Sequence, residues 1–231
     1  MKFIEISKKL NDKHIEYVLV ADKEKYNFTV VEVKPAVVYP ECILNGKKQH
    51  CFNCNNIENC NSPRSMCIRP YHNHPKGCPN FGKKEGCPPN VPMFDQVYDL
   101  TKPIYLIINE FNLLEHVENM RKIHPDWSSY QLYNSRYWQG KSISINKKVS
   151  YAWLNEHPNL VLTNWVENMG VDLVKTLKQV DIDLVFKEKL KIARRISCVG
   201  EVLADSLDKF NLVIDNINQN DCNVKVLSKK K

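Results

Sequence analysis

Six of the nine cysteines fall within residues 51–87, close to His50, His72 and His74, and prolines and glycines cut that stretch so often that no regular element can run through it. The run reads Cys51-x2-Cys54-x5-Cys60-x6-Cys67-x10-Cys78-x8-Cys87, broken by Pro63, Pro70, Pro75, Pro79, Pro88 and Pro89 and by Gly77, Gly82 and Gly86. A segment so poor in aliphatic side chains cannot bury enough apolar surface to offset the entropy of ordering it. Metal or disulfides are therefore expected to hold it.

The rest of the composition decides between those two. With 231 residues, 43% of them hydrophobic and 26% charged, the chain reads as one main globular domain over 1–231, with residues 42–92 as a cysteine-rich insert. Its first residues are charged and amphipathic, and no window has the apolar length needed to span a bilayer, so a cytoplasmic protein without a membrane partner is expected. In that reducing compartment clustered cysteines favour metal over disulfides, and an odd total suits a disulfide framework poorly.

The net charge of +7 is unevenly placed. Lys47, Lys48, Arg64, Arg69, Lys76, Lys83 and Lys84 accompany the cysteines against only Glu58 and Glu85. Metal-bound thiolates are anionic, so part of this excess neutralises the site. The sharper reading is a basic surface for nucleic acid, although no aromatic-interleaved ribbon or helix-turn-helix pattern accompanies it.

Hydrophobic periodicity predicts an amphipathic helix over 2–13, with Phe3, Ile6 and Leu10 at helical spacing, then a strand pair over 15–20 and 28–33. After Pro92 it predicts a short helix over 93–100, a buried strand over 103–108 and a helix over 112–123. A long helical stretch follows over 128–157, capped by Ser128 or Asp126. A strand at 160–163, a helix at 171–180, strands at 182–186 and 192–204, and a last short strand near 212–214 complete the reading, with 212–231 otherwise a mobile polar tail. Helices alternating with short apolar strands point to an α/β or α+β fold, a mixed sheet with flanking helices and an irregular metal-binding insert.

Cys51, Cys54, Cys60 and Cys67 would make a closed four-thiolate set, and the spacing does not choose between zinc and an iron–sulfur cluster. His72, His74, Cys78 and Cys87 form a second group, in which Gly82 can take positive φ and Pro88 and Pro89 stiffen the exit. Cys198, inside an apolar strand, reads as a core residue, and Cys222 as incidental.

Cys78-Pro-Asn-Phe81-Gly82-x4-Cys87-Pro88-Pro89 resembles the signature of an uncharacterised prokaryotic family of cysteine-rich, predicted metal-binding proteins, Cys-x2-Tyr/Phe-Gly-x4-Cys-Pro-Pro. Far downstream, Glu167-Asn168-Met169-Gly170-Val171-Asp172-Leu173-Val174-Lys175-Thr176 is similar to that family's Gly-Ile-Asp segment, and Gly200-Glu201-Val202-Leu203 to its closing strand. His74 stands where the family carries a further cysteine, and residues 142–163 lack the cysteines of its insertion; the set at Cys51, Cys54, Cys60 and Cys67 could take their place. The resemblance implies metal binding, with a 4Fe-4S cluster, and brings no established reaction.

Residues 124–139 are dense in aromatic and hydrogen-bonding groups. Arg136, Trp138 and Gln139 could wall a substrate pocket, against the ordinary reading that such aromatics are core. Asp172 reads as a helix cap. No G-x-S-x-G, P-loop, Rossmann or HExxH pattern is present. The expected protein is therefore an iron–sulfur protein serving electron transfer or Lewis-acid activation of a small substrate, with a small-molecule or redox partner. The alternative is a zinc-stabilised basic module for nucleic acid or a protein partner.

Overall fold

Alternating β-branched and aromatic residues in the first part of the chain pair as strands, and they build outward from one doubly buried central strand. The computed structural model describes residues 2–4, 9–11, 14–21, 24–38, 42–44, 47–49, 62–70, 74–184, 191–219 and 222–229. In chain order the elements are β1 (Lys2–Ile4), β2 (Lys9–Asn11), β3 (His14–Ala21), β4 (Glu24–Val33), β5 (Cys42–Leu44), β6 (Lys47–Gln49), β7 (Ile104–Asn112), α1 (Leu113–Ile123), α2 (Ser129–Leu132) and α3 (Ser135–Asn155). They continue with β8 (Val161–Thr163), α4 (Leu173–Lys178), β9 (Ile192–Gly200), α5 (Ala204–Lys209), β10 (Leu212–Gln219) and β11 (Cys222–Lys229).

Among the described residues nine strands form one sheet in the order β1-β3-β4-β7-β9-β8-β11-β10, with β2 also on β3, while β5 and β6 form a separate hairpin. All neighbours in the large sheet are antiparallel except β8 and β11, so the sheet is mixed, as expected for this class.

Strand β7 explains the layering. Ile107 lies opposite Val30 of β4 and Ser197 of β9, and packs with Val149, Trp153 and Leu154 of α3. Its neighbours Leu106 and Ile108 point to the other face, into a core with Phe94, Met169, Val171, Leu173 and Leu177. Covered on both faces, the strand is a nearly continuous apolar run rather than an alternating one. Ile107 is fully buried, so Ile107→Ala should cost about 2–5 kcal/mol of stability, readable as a lower urea midpoint.

Several sequence expectations change. Residues 2–4 and 9–11 are strands, not a helix: Phe3 lies opposite Leu19 and Lys9 opposite Ile15, so the edge of β3 captures a segment whose apolar spacing also fits a helix. The helix over 93–100 is a single tight turn at Phe94–Gln96. The long helical stretch breaks in two because Asn134 caps a new helix through its side-chain oxygen and the backbone N–H of Arg136, 3.1 Å away. Ser128 is the cap of the first part.

Residues 182–184 are irregular and 185–190 lie outside the described residues. The strand of 192–204 stops at Gly200, and α5 begins at Ala204. The tail is not a mobile segment over 212–219 and 222–229. It is a hairpin whose second strand pairs with β8, burying Val224 and Leu227. Polar residues such as Asp215 and Asn216 dilute the composition, although the second strand gives Val224 to one core and Leu227 to the other. No helix among the described residues is long and apolar enough to cross a membrane.

Candidate functional site

The described residues of the proline- and glycine-rich segment are held by backbone hydrogen bonds and one buried arginine. Pro63–Cys67 form a short tight helix, which Ser62 anchors by donating its hydroxyl to the carbonyl of Val38, 3.0 Å away. Arg64 is 1% exposed and donates to Val91 O and toward Met93 Sδ, each at 3.0 Å. A guanidinium this deep is held by specific partners or it would not stay.

Cys78 N–H donates to the carbonyl of Cys67 at 2.8 Å, which joins the first and second cysteine groups. Gly77 makes that approach possible. Its φ is +79°, and an added Cβ would lie 2.7 Å from Cys67 O and 2.9 Å from the Ile68 backbone. The loop from Cys78 to Cys87 then closes on itself: Gly82 N–H reaches Pro88 O at 2.9 Å, Cys87 N–H reaches Lys84 O at 3.0 Å, and Asn90 Nδ2 donates to Gly82 O and Lys84 O. Gly82 takes the positive φ expected of it, +70°.

Cys67, Cys78 and Cys87 are all free thiols and partly buried. Burial pushes the Cys67 thiol up to about 11, with the charges of Cys78, Cys87 and Glu167 adding to that rise and Arg64 opposing it. The Cys87 thiol is also raised, by burial first and then by Cys78, with Lys84 opposing. Cys67 and Cys87 thus each feel the charge of Cys78, and the buried Arg64 acts on Cys67.

The downstream segment braces this loop. Asn168 Nδ2 donates to Gly86 O at 2.6 Å, and Gly86 lies so tightly against the Trp165 indole that a Cβ there would collide with it. Phe94 N–H donates to Met169 O at 2.9 Å, and Val38 N–H to Gly170 O at 2.8 Å. Asp172 Oδ1 accepts from Lys175 N–H at 3.0 Å, the capping role read from sequence. The two segments that carry the family resemblance, 78–89 and 167–176, thus lie against each other. Comparison with family models, curated proteins and solved structures finds no match to this chain.

A cleft of about 260 Å³ opens beside the thiols, lined by Ser62, Ser65, Arg69, Glu167 and Asp172. Glu167 stays accessible in it, while partial burial and then the charge of Asp172 raise its carboxyl above the usual range. Among the described residues no group of three or more His, Cys, Asp and Glu is gathered tightly enough to grip a single metal ion.

The other expected site residues fall in different places. His74 is partly buried at the turn before Gly77, its carbonyl accepting from Gly77 N–H at 3.0 Å. Cys51, Cys54, Cys60 and His72 lie outside the described residues. Cys198 is completely buried in β9, and burial raises its thiol, which is the core role expected.

Arg136, Trp138 and Gln139 do not form one wall. Trp138 stacks against Phe111 with ring centroids 5.9 Å apart and donates to Tyr133 O, while Arg136 and Gln139 are exposed. The ordinary reading, that these aromatics are core, fits only in part: Trp127, Tyr133 and Trp138 pack against the cluster of Phe111 and Leu132, while Tyr130 and Tyr137 are exposed. Sequence reasoning missed Arg64, Trp165 and Asn168. From sequence Arg64 reads only as one of the basic residues accompanying the cysteines, an excess that neutralises the site or makes a basic surface, and its burial was not foreseen.

Proposed function

We propose that the protein is an iron–sulfur protein in which Cys67, Cys78 and Cys87 supply three thiolates to a four-iron cluster. The observation that carries this reading is three free thiols, Cys67 at the end of the tight helix and Cys78 and Cys87 in the irregular loop, with the helix end and the loop joined by the Cys78 N–H to Cys67 O bond and the buried Arg64 acting on Cys67. The donor set fits the group. A cubane spreads its ligands over different irons, and thiols that feel each other's charge are donors it can take.

Arg64 would balance the negative charge of ligated thiolates without needing water, and Trp165 with Asn168 would keep the loop from relaxing. Cys51, Cys54, Cys60, His72 and His74 are candidate donors for the remaining position or for a second centre. When bound, the cluster would supply electron transfer, or an open iron acting as a Lewis acid. In the adjoining cleft, Arg69 is placed to attract an anionic small substrate, and Glu167, its carboxyl raised by burial and by Asp172, to hold or release a proton at its Oε atoms. Metal binding is also what the family resemblance implies.

Purification without oxygen tests this. A brown protein with iron and acid-labile sulfide in comparable amounts is expected. A colourless protein with stoichiometric zinc and no sulfide would overturn the cluster and leave a zinc-held loop.

A further inference from the structure

A second site, sharing no residue with the cysteine loop, lies where the end of α3 meets the sheet. A groove of about 570 Å³ there is lined by Tyr17 of β3, Tyr105 of β7, and Trp153 and His157 at the end of α3, with the Glu32 carboxylate among them. Tyr105 and His157 also line an adjoining hollow of about 340 Å³, which adds Glu156 and Glu201. Exposed Lys34 is the cation lining the larger groove.

The aromatic rings are fixed against one another. Tyr105 and Trp153 have centroids 5.5 Å apart at 55°, and Trp153 and His157 stack at 3.7 Å. His157 Nδ1 lies 2.8 Å from Trp153 O, and since a carbonyl only accepts, Nδ1 carries the hydrogen and Nε2 of the neutral ring remains an acceptor. Trp153 is 3% exposed, and its indole N–H has no hydrogen-bond partner among the described residues.

We propose that this groove binds a small organic ammonium ion, its alkylated nitrogen against the rings of Tyr105 and His157, which Trp153 backs, and its charge offset by Glu32, Glu156 and Glu201. Aromatic faces carry negative potential and attract cations most strongly where water is partly excluded. An anion would meet the carboxylates in a protein whose overall charge is otherwise positive, and a neutral apolar ligand would gain nothing from them. Lys34 lines only the larger groove, so the ammonium is expected on the Tyr105 and His157 side that the two hollows share.

Choline is the probe, with 3,3-dimethylbutan-1-ol as its uncharged twin, titrated against the whole protein by calorimetry and by tryptophan fluorescence. Choline should bind about tenfold more tightly than the alcohol. Glu32→Gln, at an exposed position, and Tyr105→Leu should each weaken choline by about three- to tenfold, the first with an unchanged unfolding midpoint. Equal binding of the two probes, no choline binding, or choline binding unaffected by Glu32→Gln would overturn the proposal.

Discussion

Cys78→Ser or Cys87→Ser should strip the protein of iron and sulfide while leaving the sheet folded. Neither residue belongs to the three apolar clusters that hold the sheet and helices together, so removing a sulfur from the loop leaves those contacts intact. Loss of even an outer-shell partner weakens metal sites by about 10–100-fold, so loss of a direct thiolate is expected to cost at least that much occupancy. Cys198→Ala, at a fully buried core thiol, should keep its iron and lose only some stability. Iron and sulfide assays beside circular dichroism read both results. Full iron content in both loop variants would remove these thiols from the centre.

Gly77→Ala should damage the same site without touching a sulfur. At φ +79°, an L side chain is strained by about 1–3 kcal/mol, and here the new Cβ also meets the Cys67 carbonyl and the Ile68 backbone, neither of which can swing aside. Cys67 and Cys78 must then separate, so iron content should fall together with the melting temperature, by about 2–4 °C for each kcal/mol lost. Gly140→Ala is the matched control. It lies in α3 with open space around it, and should be neutral or stabilising by up to about 1 kcal/mol. A Gly77→Ala protein with normal iron would mean that the Cys67 to Cys78 approach is not needed.

The fold class and most element positions were legible because β7, α1, β8, β9 and α4 carry their own periodicity and caps, as with Asn112 accepting from Glu115 N–H and Asp172 from Lys175 N–H. What misled was sheet edges. Residues 2–4, 9–11 and 222–229 are strands because neighbours offer them unpaired backbone, and no local pattern announces that. In the candidate site, the cysteines and the need for Gly82 to adopt positive φ were visible. The partners were not, because Arg64 and Asn168 act through positions brought together from far along the chain, and an isolated arginine or asparagine looks the same in a solvated loop.

That long-range brace sets an order of events. Asn168 reaches Gly86 across 82 positions, and Trp165 closes on the same glycine. During synthesis the cysteine loop emerges well before the residues that give it shape. An inorganic centre that depends on this brace could reach its final geometry only once residues 165–168 had emerged and packed against the loop.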